Sequence, residues 1–432
     1  MKRTRSRPDA PLVGEVRVPG DKSISHRALL LAVLAPGSSA IDGINLGADV
    51  RATIACLRAL GARCVLDEDN LRVEVESSGQ GSLQEPAVVL DAANSGTTLR
   101  CLVGVCAGID GVSVLTGDES LRRRPMLRVV APLRQMGATI DGRAHADRAP
   151  LVVRGGSLHP VDLELQVASA QVKTAVLLAA LGATGTTSVA EPGASRDHTE
   201  RMLRAAGVPV AGDGRTVAVT GPARPRARSW AVPGDLSSAM FLVVGALLLP
   251  GSELTIRDVG LNPTRTPALD VLRAMGADVS AEIERSDGGE PVGHVTVRHS
   301  PLAGVAVDPE LVPGLIDEIP ALAIAASRAE GETLITGAAE LRAKESDRID
   351  ALVAGLRALG VDAEPRPDGM LIRGPAPLTG GAVDARGDHR VALAFGIAGL
   401  VATGNVRIKG WSSVDTSFPG FLDVLAGARR RS

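Results

Sequence analysis

The stretch Pro19-Gly20-Asp21-Lys22-Ser23-Ile24-Ser25-His26-Arg27 sets two cations and several hydroxyls directly ahead of the apolar run Ala28–Leu34. Alternation from Leu12 to Val18 predicts a strand, Pro-Gly breaks it, and Ser23 is the expected N-cap. Lys22, Ser23 and Arg27 then cluster at a helix's first turn. Free backbone N–H groups, the positive end of the helix dipole and two cationic side chains make such a turn an anion site.

The chain repeats this arrangement. Asp91-Ala92-Ala93-Asn94-Ser95-Gly96-Thr97-Thr98-Leu99-Arg100 combines small residues with hydroxyls, as a phosphate-cradling turn requires. Ser169-Ala170-Gln171-Val172-Lys173 offers a hydroxyl, an amide and an ammonium. Ile316-Asp317-Glu318-Ile319-Pro320 and Gly387-Asp388-His389-Arg390 open two further helices, and Ser195-Arg196-Asp197-His198-Thr199-Glu200 follows a strand. Gly117–Met126 contains the consecutive arginines Arg122, Arg123 and Arg124. In Lys344-Glu345-Ser346-Asp347-Arg348 a helical turn would set Lys344 and Arg348 at i, i+4 on one face. Arginine suits bidentate recognition of carboxylate and phosphate, so these cations together imply substrates with several negative charges. Asp317 and Glu345 stand among them. A carboxylate beside Lys22 and Lys344 stays ionised and can take a proton from a substrate hydroxyl; structural salt bridging is the competing role.

The elements that must position these groups form an internal repeat. Leu57-Arg58-Ala59-Leu60-Gly61 recurs from Leu133, Leu203, Leu272 and Leu356, with a degenerate copy at Asp423–Ala428, at a spacing of roughly 70–85 residues. Each copy reads as a helix end closed by Gly, and in the first five an alternating strand follows. After the sixth, the N-terminal strand Leu12–Val18 is the expected replacement, closing the repeat on itself. A second set of apolar helical runs interleaves, at Ala28–Ile44, Leu99–Leu115, Thr174–Val189, Met240–Ile256, Ala321–Ile335 and Val391–Ile408. The rhythm is βαβαββ. Six units divide into two α/β domains of three repeats, residues 20–234 and residues 1–19 plus 235–432. One long doubly wound sheet is disfavoured because the strands are short.

Composition narrows the partners. At 432 residues the chain exceeds the size of a single core, so two domains are expected. It has no Tyr, four Phe and two Trp, which argues against a stacking platform for nucleic acid, and its net charge of −2 gives no basic excess. Cys56, Cys64, Cys101 and Cys106 form no CxxC pair and the seven histidines show no ligand spacing, so no metal site is expected. No signal-peptide h-region or membrane-spanning run is evident, and a cytoplasmic monomer with no membrane partner is the default. The first ten residues and Arg429–Ser432 read as frayed tails.

Eight ordered motifs resemble the 3-phosphoshikimate 1-carboxyvinyltransferase (EPSP synthase) family from Pro11 to Gly427. They are GDKSISHR at Gly20–Arg27, NSGTTLR at Asn94–Arg100, SLRRRPM at Ser120–Met126, SAQVK at Ser169–Lys173, SRDHTE at Ser195–Glu200, DEIP at Asp317–Pro320, KESDR at Lys344–Arg348 and GDHR at Gly387–Arg390. The resemblance implies a two-domain inside-out α/β barrel, three repeats per domain, with the active site in the cleft between domains. It implies transfer of the enolpyruvyl group of phosphoenolpyruvate to the 5-hydroxyl of 3-phosphoshikimate, without cofactor or metal. By the same resemblance Lys22, Ser23, Arg27, Ser169, Ala170, Gln171, Ser195, Arg196, Asp317 and Lys344 hold 3-phosphoshikimate. Lys22, Asn94, Gly96, Arg124, Gln171, Arg348 and Arg390 hold phosphoenolpyruvate, and Asp317, Glu345 and Lys22 are the catalytic candidates. Three departures are Ala170, where many members have Ser, Thr416, where some have Lys, and Glu340, where some have Asn. Gly96 leaves room beside phosphoenolpyruvate, which implies sensitivity to glyphosate. The nearest rival, a UDP-N-acetylglucosamine enolpyruvyl transferase, carries Lys-Asn where this chain has Lys22-Ser23. A non-catalytic anion-binding homologue is the other alternative, and would be expected to lose Lys22, Asp317 or Arg124.

Overall fold

The structure, a computed structural model, describes residues 2–4, 10–212 and 215–429. It divides into two compact units. One comprises Met1–Pro19, Pro233–Arg285 and Pro291–Ser432; the other comprises Gly20–Val232 with Ser286–Glu290. Each has its own aliphatic core.

In the 20–232 unit the helices Lys22–Leu34, Gly96–Ala107 and Ala170–Ala180 are apolar on nearly every face. A helix without a polar stripe has to lie inside, and Ile24 through Leu34 are all buried. The strands alternate instead: in Arg72–Ser78, Val73 and Val75 are buried while Glu74 and Glu76 face solvent. Helices therefore fill the centre and sheets the outside, an inside-out arrangement for an α/β unit. The other unit follows the same rule. Leu236–Leu248 is buried from Leu236 through Leu247, and Ile319–Arg328 and His389–Val401 are nearly as enclosed.

The middle repeat of the 20–232 unit shows the pattern. Leu90–Asp91 pairs parallel with Gly111–Thr116 across the Gly96–Ala107 helix, and Arg148–Gly155 then pairs antiparallel with Gly111–Thr116 and with Thr139–Gly142. Ser229–Ala231 supplies the leading strand of the first repeat by pairing parallel with Pro36–Asp42. In the other unit Val13–Arg17 does the same for the fourth repeat, parallel to Glu253–Gly260. The N-terminal strand thus leads the fourth sheet and does not close the sixth. Its parallel direction fits only the leading place. The antiparallel place beside Val406–Lys409 is filled by Lys2–Thr4, so part of the expected N-terminal tail is a strand. Arg430–Ser432, also read as tail, lie outside the described residues.

The recurring Leu-Arg-x-x-Gly has a structural reason. Gly61, Gly137, Gly207, Gly276 and Gly360 follow their helices at φ between +80° and +104°, the left-handed conformation that ends a helix at least cost in glycine. The arginine at the penultimate position of each helix reaches over that turn to the carbonyl six residues on. Arg58 bonds Cys64 O, Arg134 Ile140 O, Arg204 Val210 O, Arg273 Val279 O and Arg357 Ala363 O. Each guanidinium ties a helix to its next strand. The sixth copy departs from this: Gly427 lies inside the Phe421–Gly427 helix without positive φ.

Arg357→Met keeps the stem and helix propensity but removes the donors. It should lower stability by about 1 kcal/mol in urea unfolding. An unchanged midpoint would show that the carbonyl is equally served by water.

Candidate active site

Three helix starts gather polar groups in the 20–232 unit. At the first, Asp21, not Ser23, is the N-cap, its Oδ1 accepting from Ile24 N at 2.9 Å. The helix begins two residues earlier than expected because the backbone turns immediately after Pro19-Gly20. Lys22 becomes its first residue, with Nζ 2.8 Å from Oδ2 of Asp49. Arg27 is buried, donating to Thr199 Oγ1 and Thr174 Oγ1 at 2.8 Å each and to Ser23 O at 3.0 Å. Its guanidinium is a built part of the unit.

At the second start Ser95 caps Thr98 N, and Asn94 Oδ1 accepts from Arg124 Nη2 at 2.9 Å. Of the three consecutive arginines only Arg124 is buried. Arg122 and Arg123 are exposed, and Arg123 pairs with Glu119 at the surface. The Arg124 segment is braced by Asp147, whose Oδ1 accepts from Leu127 N at 3.0 Å. A Cβ on Gly96 would stand 2.9 Å from Arg100 Nη1 and 3.2 Å from Arg124 Nη1. Arg100 also donates to Gln171 Oε1 at 2.6 Å, and Gln171 Nε2 donates to Thr97 at 2.9 Å. These bonds join the second start to the third.

At the third start Glu191 is the hub. It accepts from Ser169 N and from Ser195 Oγ, both at 2.7 Å. Lys173, read from the sequence as a ligand-like ammonium, is 1% exposed and lies 2.8 Å from both Glu191 and Glu200. Burial works against its charge, but Glu200 and Glu191 outweigh burial and raise its pKa. It is a structural cation. Ser23, Ala170 and Arg196 remain partly exposed. A buried chain of hydrogen bonds runs from His26 Nδ1 to Thr53, Thr98 and Ser95, each step 2.7 Å, and so locks the first start to the second.

In the other unit the candidates converge on one buried guanidinium. Arg348 is 1% exposed. Its Nε lies 2.7 Å from Asp388 Oδ2, its Nη2 2.6 Å from Glu345 Oε2 and its Nη1 3.2 Å from Asp317 Oδ1. Burial opposes its charge, yet Asp388, Glu345 and Asp317 outweigh that and push its pKa above the ordinary arginine value. Asp317 has two further cations nearby, Lys344 Nζ at 3.7 Å and Arg390 Nη2 at 3.6 Å, and Arg390 Nη1 donates to its carbonyl at 3.1 Å. Lys344 and Arg348 do not share a helical face, since the helix begins only at Arg348 behind the Asp347 cap. Both reach Asp317 from a bent segment instead.

Asp49 and Glu191 do not stand out in the sequence, because a buried partner looks like any surface charge until the fold is known. Among the described residues no cluster of His, Cys, Asp or Glu has the make-up of a metal site, and no helix is long and apolar enough to cross a membrane. The four cysteines are buried and unbridged, with burial lifting the Cys101 thiol to about 11 and that of Cys106 to about 12.

The chain matches the solved structure of the enolpyruvyl transferase NikO from Streptomyces tendae with a TM-score of 0.76, covering 98% of this chain and 96% of that one; at 19% identity the likeness shows the fold alone. EPSP synthase from Acinetobacter baumannii matches with a TM-score of 0.87 and 41% identity, over 99% and 97% of the two chains. Fold and helix-start charge clusters define an inside-out α/β protein of the enolpyruvyl transferase type. The family described as EPSP synthase (3-phosphoshikimate 1-carboxyvinyltransferase) matches residues 6–425. The 3-phosphoshikimate 1-carboxyvinyltransferase of Gloeobacter violaceus is 54% identical over 98% of each chain, and that of Geobacillus kaustophilus 51% identical over 96% of this chain and 97% of its own. The chain belongs to the EPSP synthase family.

His26 makes the lock between the first two starts sensitive to pH. Burial, then the charges of Lys22 and Arg27, holds its pKa well below the usual value. Below about pH 6.5 the unfolded chain binds a proton that the folded chain refuses, so stability falls with pH by up to about 1.4 kcal/mol per unit. Urea unfolding should show a smaller loss between pH 7.5 and 5.5 in His26→Gln than in wild type, by about 1 kcal/mol. Equal losses would contradict this.

Proposed function

We propose that the protein transfers the enolpyruvyl group of phosphoenolpyruvate to the 5-hydroxyl of 3-phosphoshikimate, releasing phosphate. The observation that carries this reading is Asp317, an acceptor carboxylate with three cations within 4 Å in a chain of this family. Asp317 takes the 5-hydroxyl proton as that oxygen bonds C2 of phosphoenolpyruvate, while an acid delivers a proton to the methylene C3. Lys22 and Glu345 are the candidates for this acid. Loss of a C3 proton and departure of phosphate from the tetrahedral intermediate then restore the C2–C3 double bond and give the enol ether product. Fixed positive charge around the intermediate lowers both barriers.

On this reading Lys22, Ser23, Arg27, Ser169, Ala170, Gln171, Ser195, Arg196, Asp317 and Lys344 serve 3-phosphoshikimate. Lys22, Asn94, Gly96, Arg124, Gln171, Arg348 and Arg390 serve phosphoenolpyruvate, Arg348 reaching it only when one of its three carboxylates gives way. The partners are small anions, and the protein works as a cytoplasmic monomer without nucleic acid. The net charge of −2, with no basic excess, supports the absence of a nucleic-acid partner.

Phosphate release from phosphoenolpyruvate should require 3-phosphoshikimate, with none from UDP-N-acetylglucosamine or from phosphoenolpyruvate alone. Asp317→Asn should lower kcat by about 10³-fold or more. Release with the nucleotide sugar would move the acceptor assignment to the rival family. Gly96→Ala should displace the Arg100 and Arg124 guanidinium ends, raising KM for phosphoenolpyruvate by about tenfold while leaving KM for 3-phosphoshikimate within about threefold. Equal effects on both would place Gly96 elsewhere. Inhibition by glyphosate is part of the same reading, since Gly96 presents no side chain of its own beside Arg100 and Arg124.

A further inference from the structure

Asp317 is followed by a second acid that points into a different charge cluster. Glu318 is 1% exposed. Its Oε1 accepts a short hydrogen bond from Ser237 Oγ and lies 3.4 Å from Arg265 Nη2. The same Arg265 nitrogen donates to Ser237 Oγ at 2.6 Å and to Asp235 Oδ1 at 3.1 Å. Asp235, Ser237 and Arg265 are themselves no more than 3% exposed. Two carboxylates thus share one guanidinium away from solvent. Such a cluster is costly to assemble and is weak evidence for stability as such.

Comparison of the six buried helices shows what it does. At five of them the capping residue, Asp21, Ser95, Ser169, Asp235 or Asp388, turns its side chain onto its own helix's N–H groups. At the sixth the capping position is Glu318, and its side chain makes no such bond. It reaches across to the start of the Leu236–Leu248 helix instead. The one start that carries the acceptor carboxylate has exchanged a local cap for a long-range anchor. Asp317 and Glu318 are adjacent, so the peptide between them is held from both sides: Arg348, Lys344 and Arg390 on the Asp317 side chain, Arg265 and Ser237 on Glu318.

We propose that Glu318 is a positioning residue, anchored by Arg265 and Ser237, that fixes Asp317 relative to the hydroxyl it deprotonates. The inference rests on the reading of Asp317 as the proton acceptor. Misplacement of a reacting group by about 1 Å costs about 10²-fold in rate, which sets the scale of the effect.

The test measures kcat, both KM values and the thermal midpoint for Glu318→Ala, Glu318→Gln and Asp317→Asn in the full chain. Glu318→Ala should lose about 10- to 100-fold in kcat with both KM values within about threefold of wild type. Glu318→Gln keeps the shape and the acceptor for Ser237 and Arg265, and should recover most of that rate. An inactive Asp317→Asn beside a Glu318→Ala of wild-type kcat would overturn the anchor and leave the acceptor reading standing. A fully active Asp317→Asn would overturn the acceptor reading itself, and the anchor with it. A lowered midpoint with unchanged kcat would make Glu318 purely structural and also overturn the proposal. Should Glu318→Ala not fold, Ser237→Ala removes one donor with little change in volume. A kcat loss of about three- to tenfold is then expected, and an unchanged kcat would count against the anchor.

Discussion

One buried guanidinium organises the carboxylates that are the candidates for proton transfer. Arg348 presents three nitrogens to three carboxylates, Asp317, Glu345 and Asp388, that belong to three different segments of one unit. Each of those carboxylates would be expensive to bury alone, and Arg348 would be equally so. Together they form a fork geometry that only arginine can offer, because its donors lie in one plane at fixed angles. Asp388 caps the His389–Val401 helix, so the fork is fastened to the core, and two of the three candidate proton carriers, Asp317 and Glu345, are fastened to the fork.

The same economy appears in the 20–232 unit. Arg27 is bonded to two threonines and a carbonyl, Lys22 to Asp49, and Arg124 to Asn94. Cations gathered at helix starts would repel one another if left alone. Internal acceptors fix their positions, which limits the reorganisation that binding an anion there would need. The helix starts add partial positive charge, and the buried helices behind them supply rigid supports. The inside-out arrangement follows from the need to bury helices that are apolar all round.

Much of this was legible in the sequence. The sixfold repeat, both helix sets, the mixed α/β fold and the family were readable because apolar runs, terminal glycines and eight ordered motifs are local signals. Local chemistry also misled. Ser23 looked like a cap until the turn at Gly20 gave that place to Asp21, and Lys344 and Arg348 looked like helical neighbours until the Asp347 cap started the helix later. Lys173 looked like a ligand and proved to be a buried counter-charge for Glu191 and Glu200. Arg265, Asp49 and Glu191 were invisible for one reason. Apart from Ser195, four residues from Glu191, their partners lie far away in sequence, and charge pairing across such distances is a property of the folded chain alone.

The account stands most directly on the Arg348 fork, and the measurement that tests it is the steady-state rate of Arg348→Lys with phosphoenolpyruvate and 3-phosphoshikimate, taken on protein whose circular dichroism matches wild type. Lysine keeps the charge but cannot direct three fixed donors at three carboxylates. A fall in kcat of about 10²-fold or more is the predicted result. A rate within about threefold of wild type would mean that a point charge suffices, and that the fork does not position Asp317 and Glu345.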